Sequence, residues 1–164
     1  MKSVMSYTEL QVTSNFSFLR GASHPEELVE QAARYRYKAI AITDRNTFAG
    51  IVRGHVAAKK TGMRIIPACR IDLLDGPGLL AFPTDIQAYA QISALLTAGN
   101  LRTEKGQCHL HRADVYRHAQ GSKFVALPPS SLNGAFDFDP SFKMILKEYR
   151  DAFGKQLYLA ATRT

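Results

Sequence analysis

The side chains that could do chemistry stand where short apolar runs give way to loops. Gln11 and Thr13 fall on the first such run, Asp44 and Arg45 directly after the second, and Arg70 just past the third. In proteins that alternate strands with helices, reactive groups gather at the carboxyl ends of strands, because loops there vary freely above a rigid sheet. Two positions apart on an extended strand, Gln11 and Thr13 share a face. Two histidines at that spacing would grip a divalent metal. An amide and a hydroxyl would not, since transition metals at neutral pH prefer imidazole, thiolate or carboxylate. The layout of a reactive centre is present with side chains unsuited to it.

The elements that must position these residues are legible from periodicity. Runs rich in β-branched residues predict strands near 9–13, 39–43, 64–68, 79–82, 123–127 and 156–161, with helices between most of them, which is the pattern of βα units in a mostly parallel sheet. Ser23 and Glu26 have capping-box spacing at the start of a first helix, whose apolar face is Leu28, Val29, Ala32 and Ala33. A second helix is expected over 47–60, stopping before Gly62, with Ile51, Val52, His55 and Val56 inward. A third starts at Thr84, capped through Gln87, and stops at Gly99. The last has Asp139 as N-cap and Pro140 at its first position, with Phe142, Ile145, Leu146, Tyr149 and Phe153 on one stripe. LDGPG reads as a turn inserting a short hairpin, and 100–112 and 128–139 read as irregular.

A length of 164 residues with 46% hydrophobic and 21% charged residues describes one globular domain with a core, and excludes disordered and fibrous classes. The first residues, MKSVMSYTEL, lack a signal-peptide apolar run, and no segment reaches a membrane span, so the chain is expected in the cytoplasm. Cys69 and Cys108 have no CxxC spacing and read as buried or idle thiols. A formal charge of +7 favours an anionic partner, although the cations are scattered and follow no nucleic-acid-binding motif. His109 and His111 beside Cys108 are too few and too local for a metal site; His24 decorates a helix start, His55 packs or caps, and His118 is exposed.

Two segments together, LQVTSNFSFLRGASHPEELVEQAA and AIAITDRNTFAGIVRGHVAAKKTGMRIIPACRI, resemble the opening of the polymerase and histidinol phosphatase (PHP) domain at the amino terminus of bacterial C-family DNA polymerases. The likeness is greatest to the error-prone, damage-associated branch, and continues through LLAFPTDIQAYAQISALLTAGNLRTEKGQCHL. It implies an α/β fold, a distorted seven-stranded βα barrel, of which this chain would hold the first five or so units as the amino-terminal part of a larger polymerase. It also implies a cluster of divalent ions in those members that bind metal. Carried over by position, their first-strand His-x-His falls on Gln11 and Thr13, and the acidic loop residue on Arg20. The His of Thr-Asp-His falls on Arg45 beside a retained Asp44, the Glu after strand three on Arg70, and a cysteine ligand near Ser130.

Guanidinium groups are always protonated and have no lone pair to donate, so Arg20, Arg45 and Arg70 would repel the ions that such ligands bind. One unit pair at 4 Å is worth about 4 kcal/mol at an effective dielectric of 20. The expectation is therefore no catalytic residue, no metal and no cofactor in this domain, divalent metal being confined to a polymerase palm outside it. Two roles for the arginines stay open: ion pairs with Asp44, Asp72 or Glu9 that fill the space of the ions, or an anion pocket formed by Arg20, Arg45 and Arg70. The resemblance implies as partners the remaining polymerase domains, DNA near the basic surface and, through the parent chain, a sliding clamp and other damage-tolerance proteins, and no membrane. The parent would be a DNA-directed DNA polymerase acting in damage-tolerant synthesis. A free-standing metal-dependent PHP phosphoesterase is the chief alternative, and a stand-alone DNA-binding module is a third.

Overall fold

The computed structural model describes residues 7–129, 132–135 and 137–161. The chain divides into two compact units, Met1–Arg70 and Ile71–Thr164.

The first unit alternates strands and helices: β1 (Thr8–Val12), α1 (Pro25–Arg34), β2 (Ala39–Ile42), α2 (Ala49–Thr61) and β3 (Arg64–Pro67). The sheet order is β1-β2-β3, all parallel, with Thr8, Ala39 and Arg64 level at the amino ends. All four residues of AIAI in β2 are buried, as a central parallel strand covered on both faces requires. Val29 and Ala32 of α1 and Ile51, Ala57 and Ala58 of α2 close on Ile40 and Ile42.

Two details of the helices differ from expectation. The capping box of α1 is one residue later: His24 is the N-cap and its backbone N–H donates to Glu27 Oε2 at 2.8 Å, because Pro25 takes the first helical position, where it needs no donor. On α2, of Ile51, Val52, His55 and Val56 only Ile51 faces inward as expected. Val52 and Val56 are 70% and 50% exposed, His55 is exposed, and Gly50, Gly54, Ala57 and Ala58 join Ile51 in the buried face. The helix lies so near the sheet that small residues outrank branched ones. A Cβ on Gly54 would stand 2.6 Å from Ile42 Cδ1 and 2.7 Å from Ile65 Cδ1. Those methyl groups can rotate away, so Gly54→Ala is expected to lower stability by about 1–2 kcal/mol, read as a shift in urea midpoint at unchanged slope.

The second unit holds β5 (Leu79–Pro83), α3 (Ile86–Leu101), α4 (Arg112–Arg117), β6 (Ser122–Ala126), α5 (Pro140–Phe153) and β7 (Leu157–Leu159), and β4 (Cys69–Ile71) leads into it. The sheet order is β4-β5-β6-β7, so the turn in LDGPG joins neighbouring strands. β5 and β6 are antiparallel, whereas β6 and β7 are parallel. The single mostly parallel sheet expected from alternation is thus two sheets, one of them mixed. One helix between two strands returns the chain to the same end and makes them parallel; α4, in a stretch whose first part reads as irregular, adds a second reversal before β6. Helix α3 is capped by Asp85, whose side chain accepts from Ala88 N at 2.7 Å, while Thr84 Oγ1 donates to Gly121 O. It also runs through Gly99, where a Cβ would meet Leu110 Cδ2 at 2.6 Å: that glycine is there for packing, not as a stop.

The core of this unit is aromatic. Phe124 stacks on Phe153 at 4.4 Å, and the fully buried Tyr149 donates to Pro77 O at 2.8 Å. Of the expected α5 stripe, Phe142, Tyr149 and Phe153 are buried and Ile145 and Leu146 half-buried, and Asp139 caps Ser141 N as expected. Helix α4 is pinned by Asp114, 3% exposed, which receives both guanidinium nitrogens of Arg102 at 2.5 and 2.9 Å, the His111 N–H at 3.0 Å, and Arg117. His118 is half-buried rather than exposed, its Nδ1 2.8 Å from Asp114 O.

Candidate functional site

The loop after β1 is turned on its own hydroxyls. Ser14 Oγ accepts from Phe16 N at 3.2 Å, and Ser17 O accepts from Arg20 N at 2.9 Å and Gly21 N at 3.2 Å. Gly21 closes the turn against Ser14 O, 2.4 Å from where a Cβ would be, so no other residue fits without moving backbone. The tip carries Phe18 and Leu19, 83% and 84% exposed, with Leu19 at φ 58.

At the carboxyl end of β2, Asp44 is 1% exposed and both of its oxygens are taken by this loop. Oδ1 accepts from Ser14 N at 2.8 Å and Ser17 Oγ at 2.7 Å, and Oδ2 accepts from Ser14 Oγ at 2.7 Å. Ser17 Oγ also accepts from Arg45 N at 2.9 Å. Gly50 of α2 presses on the same carboxylate, since a Cβ there would lie 2.6 Å from Oδ2. Asp44 therefore fastens the loop to the sheet through one amide and two hydroxyl donors. Glu9 is likewise occupied, by the Tyr7 hydroxyl at 2.8 Å and Gln11 N at 3.1 Å.

Arg45 and Arg70 are brought side by side. Arg70 N donates to Asp44 O at 3.0 Å and Asn46 N to Arg70 O at 2.7 Å, a parallel bridge just past the ends of β2 and β3. Both are half-buried, whereas Arg20 is exposed on the loop. Gln11 is exposed and Thr13, half-buried, is the first residue past β1. A register shift between Glu9 and Val12 interrupts the strict alternation from which a shared face for Gln11 and Thr13 was inferred. Ser130 lies outside the described residues. Among the described residues no three His, Cys, Asp or Glu side chains are grouped as a metal ion would need.

Ser14 and Ser17 are the site residues that sequence reasoning missed. The partial signals were the pair of serines three apart in TSNFS and, far along the chain, an acidic residue that follows a wholly apolar strand and must find donors; nothing in the sequence joins the two.

The pattern of the PHP domain matches residues 9–164. The chain belongs to the PHP family. This PHP domain is 48% identical over 132 residues to an error-prone DNA polymerase of Caulobacter vibrioides, covering 80% of this chain and 12% of that protein. It is 42% identical over 156 residues to error-prone DNA polymerase 2 of Agrobacterium fabrum, covering 95% and 14%. It thus spans about one seventh or less of the length of these relatives. Among solved structures it is similar to an amidohydrolase of Chromobacterium violaceum with bound sulfate and no metal, at TM-score 0.64 and 16% identity, over 93% of this chain and 76% of that one. An assigned metal-dependent phosphoesterase of Bifidobacterium adolescentis gives TM-score 0.63 at 15% identity, over 95% and 87%. At such identities these two speak for the fold alone.

Proposed function

We propose that this chain is a metal-free PHP domain of an error-prone DNA polymerase, with a structural rather than a hydrolytic role. Names and coverage of the relatives support the parent enzyme, a DNA-directed polymerase of damage-tolerant synthesis and repair, whose palm would hold the catalytic metal. That reading places the chain in the cytoplasm with DNA and the rest of the polymerase as partners, and completes the βα barrel with the parent chain. No helix among the described residues is long and apolar enough to cross a membrane.

The observation that carries the metal-free part is the fate of Asp44. A buried carboxylate that already accepts three hydrogen bonds keeps at most one acceptor direction for a cation, and its neighbours at the strand ends, Arg45 and Arg70, bring fixed positive charge. The donor set does not fit a divalent cluster. Purified after growth in zinc and manganese, the domain is expected to carry well under one metal ion per chain and to leave phosphate monoesters intact. Stoichiometric metal accompanied by turnover would replace this reading with that of a PHP phosphoesterase.

A further inference from the structure

The opposite end of the first sheet carries most of the charge. Residues 1–70 hold eleven Lys and Arg against five Asp and Glu, while residues 71–164 hold ten against nine, so nearly all of the excess belongs to the first unit. Parallel βα topology sends both helices back to the amino ends of the strands, and the following loops lie there with Thr8, Ala39 and Arg64 in register. Arg34, Arg36, Lys38, Lys59, Lys60 and Arg64 are collected on that edge, and all six are exposed.

None of the six has an ion pair with a described residue. Three of the five acidic residues of the unit are engaged elsewhere, Asp44 at the other end of the strands, Glu26 with Arg53 and Glu27 on the α1 cap, while Glu9 accepts from the Tyr7 hydroxyl at this edge and Glu30 stands four residues before Arg34. Favourable interaction with helix carboxyl ends accounts for Arg34, Lys59 and Lys60, which sit in last turns. It does not account for Arg36, Lys38 or Arg64.

Aromatic rings are interleaved with these cations in the run RYRYK, residues 34–38. Tyr35 is 62% and Tyr7 49% exposed, and Tyr37 links them, its ring 5.7 Å from Tyr35 and 4.8 Å from Tyr7. Between the two tyrosines of this run Arg36 holds φ 58, a conformation where glycine is usual. An arginine there keeps a charge at the turn in place of the residue that the backbone favours.

We propose that this edge binds single-stranded DNA, its phosphates paired with the row of cations and a base stacked on Tyr35. Spaced cations with accessible rings suit an unpaired strand, which offers both a charged backbone and bare base faces, whereas a duplex hides the latter. The choice of DNA rests on the proposed parent polymerase, whereas the surface itself rests on these charges and rings and is independent of the metal question.

Anisotropy of a labelled oligothymidylate with the 164-residue chain tests it. Binding is expected to weaken steeply between about 50 and about 200 mM salt. Charge reversal in Arg36→Glu/Lys38→Glu/Lys60→Glu is expected to reduce affinity by at least about 10-fold, and Tyr35→Ala by about 5- to 100-fold for the single strand with little change for duplex of the same length. The same number of reversals on the second unit, at Lys147, Arg150 and Lys155, should leave binding within about 2-fold, and far-ultraviolet circular dichroism verifies that each variant folds. The proposal is overturned by absence of binding at low salt, by equal loss from the second-unit reversals, by indifference to Tyr35→Ala, or by polyglutamate binding as tight as oligothymidylate, which would mark a protein-docking face.

Discussion

Asp44→Ala is expected to cost about 4 kcal/mol and to strip hydrogen-exchange protection from the junction of β1 and β2. The substitution removes one buried acceptor and leaves three donors facing each other, the Ser14 N–H and the hydroxyls of Ser14 and Ser17. Each orphaned buried donor costs about 1–3 kcal/mol, and the hydroxyls can turn to recover part of that. The Thr43 amide reports it directly, since Thr43 N donates to Val12 O at 2.7 Å just before the clasp. Asp44→Asn keeps one acceptor and the shape, so about 1–2 kcal/mol is expected. Ser17→Ala should fall between, because Ser17 Oγ both donates to Asp44 and accepts from Arg45 N. Added zinc or manganese should not change the order of the series. An Asp44→Ala protein as stable as the parent would mean that the carboxylate does not hold the loop.

The same clasp shows what could be read in advance. That Asp44 ends a buried strand at the mouth of a sheet follows from AIAITD, where four apolar residues in a row need cover on both faces. Its partners could not be read, because they come from a loop 27 to 30 positions away whose turn depends on Ser14, Ser17 and a glycine pressed against Ser14 O. Helix α2 was misread for a related reason. Hydrophobicity pointed to Val52 and Val56, but distance of approach decided the face, and at that approach glycine and alanine pack where valine cannot. The second unit departs furthest. Helix α4 has only six residues and no apolar stripe of its own, so periodicity passes over it, and with it goes the extra reversal that makes β5 and β6 antiparallel.

What secures so short a helix is charge, and Asp114→Asn is accordingly expected to destabilise the second unit by about 2–3 kcal/mol at pH 7. The carboxylate lies buried under two guanidinium groups and accepts the N–H of His111 at the head of the helix. The hydrogen bonds from Arg102 come first in holding its ionisation far below the ordinary carboxylate range, with the His111 N–H and Arg117 adding to them and burial opposing. Breaking a buried pair commonly costs 3–5 kcal/mol, but Arg102 and Arg117 are 41% and 67% exposed and return to water when released, which lowers the figure. The sign of the pH dependence follows from the direction of the shift. A depressed carboxyl contributes its full stabilisation above the unfolded value of about 3.9 and loses it as pH falls toward the folded value. The gap between wild type and Asp114→Asn should then be flat from about pH 7 to about pH 5 and close progressively below about pH 4. Urea titrations at each pH, with exchange of the Leu74 amide bonded to Leu110 O as the local reporter, measure that gap. A difference that persists unchanged to about pH 2 would show that shape rather than charge anchors α4, and that the arginines only cover it.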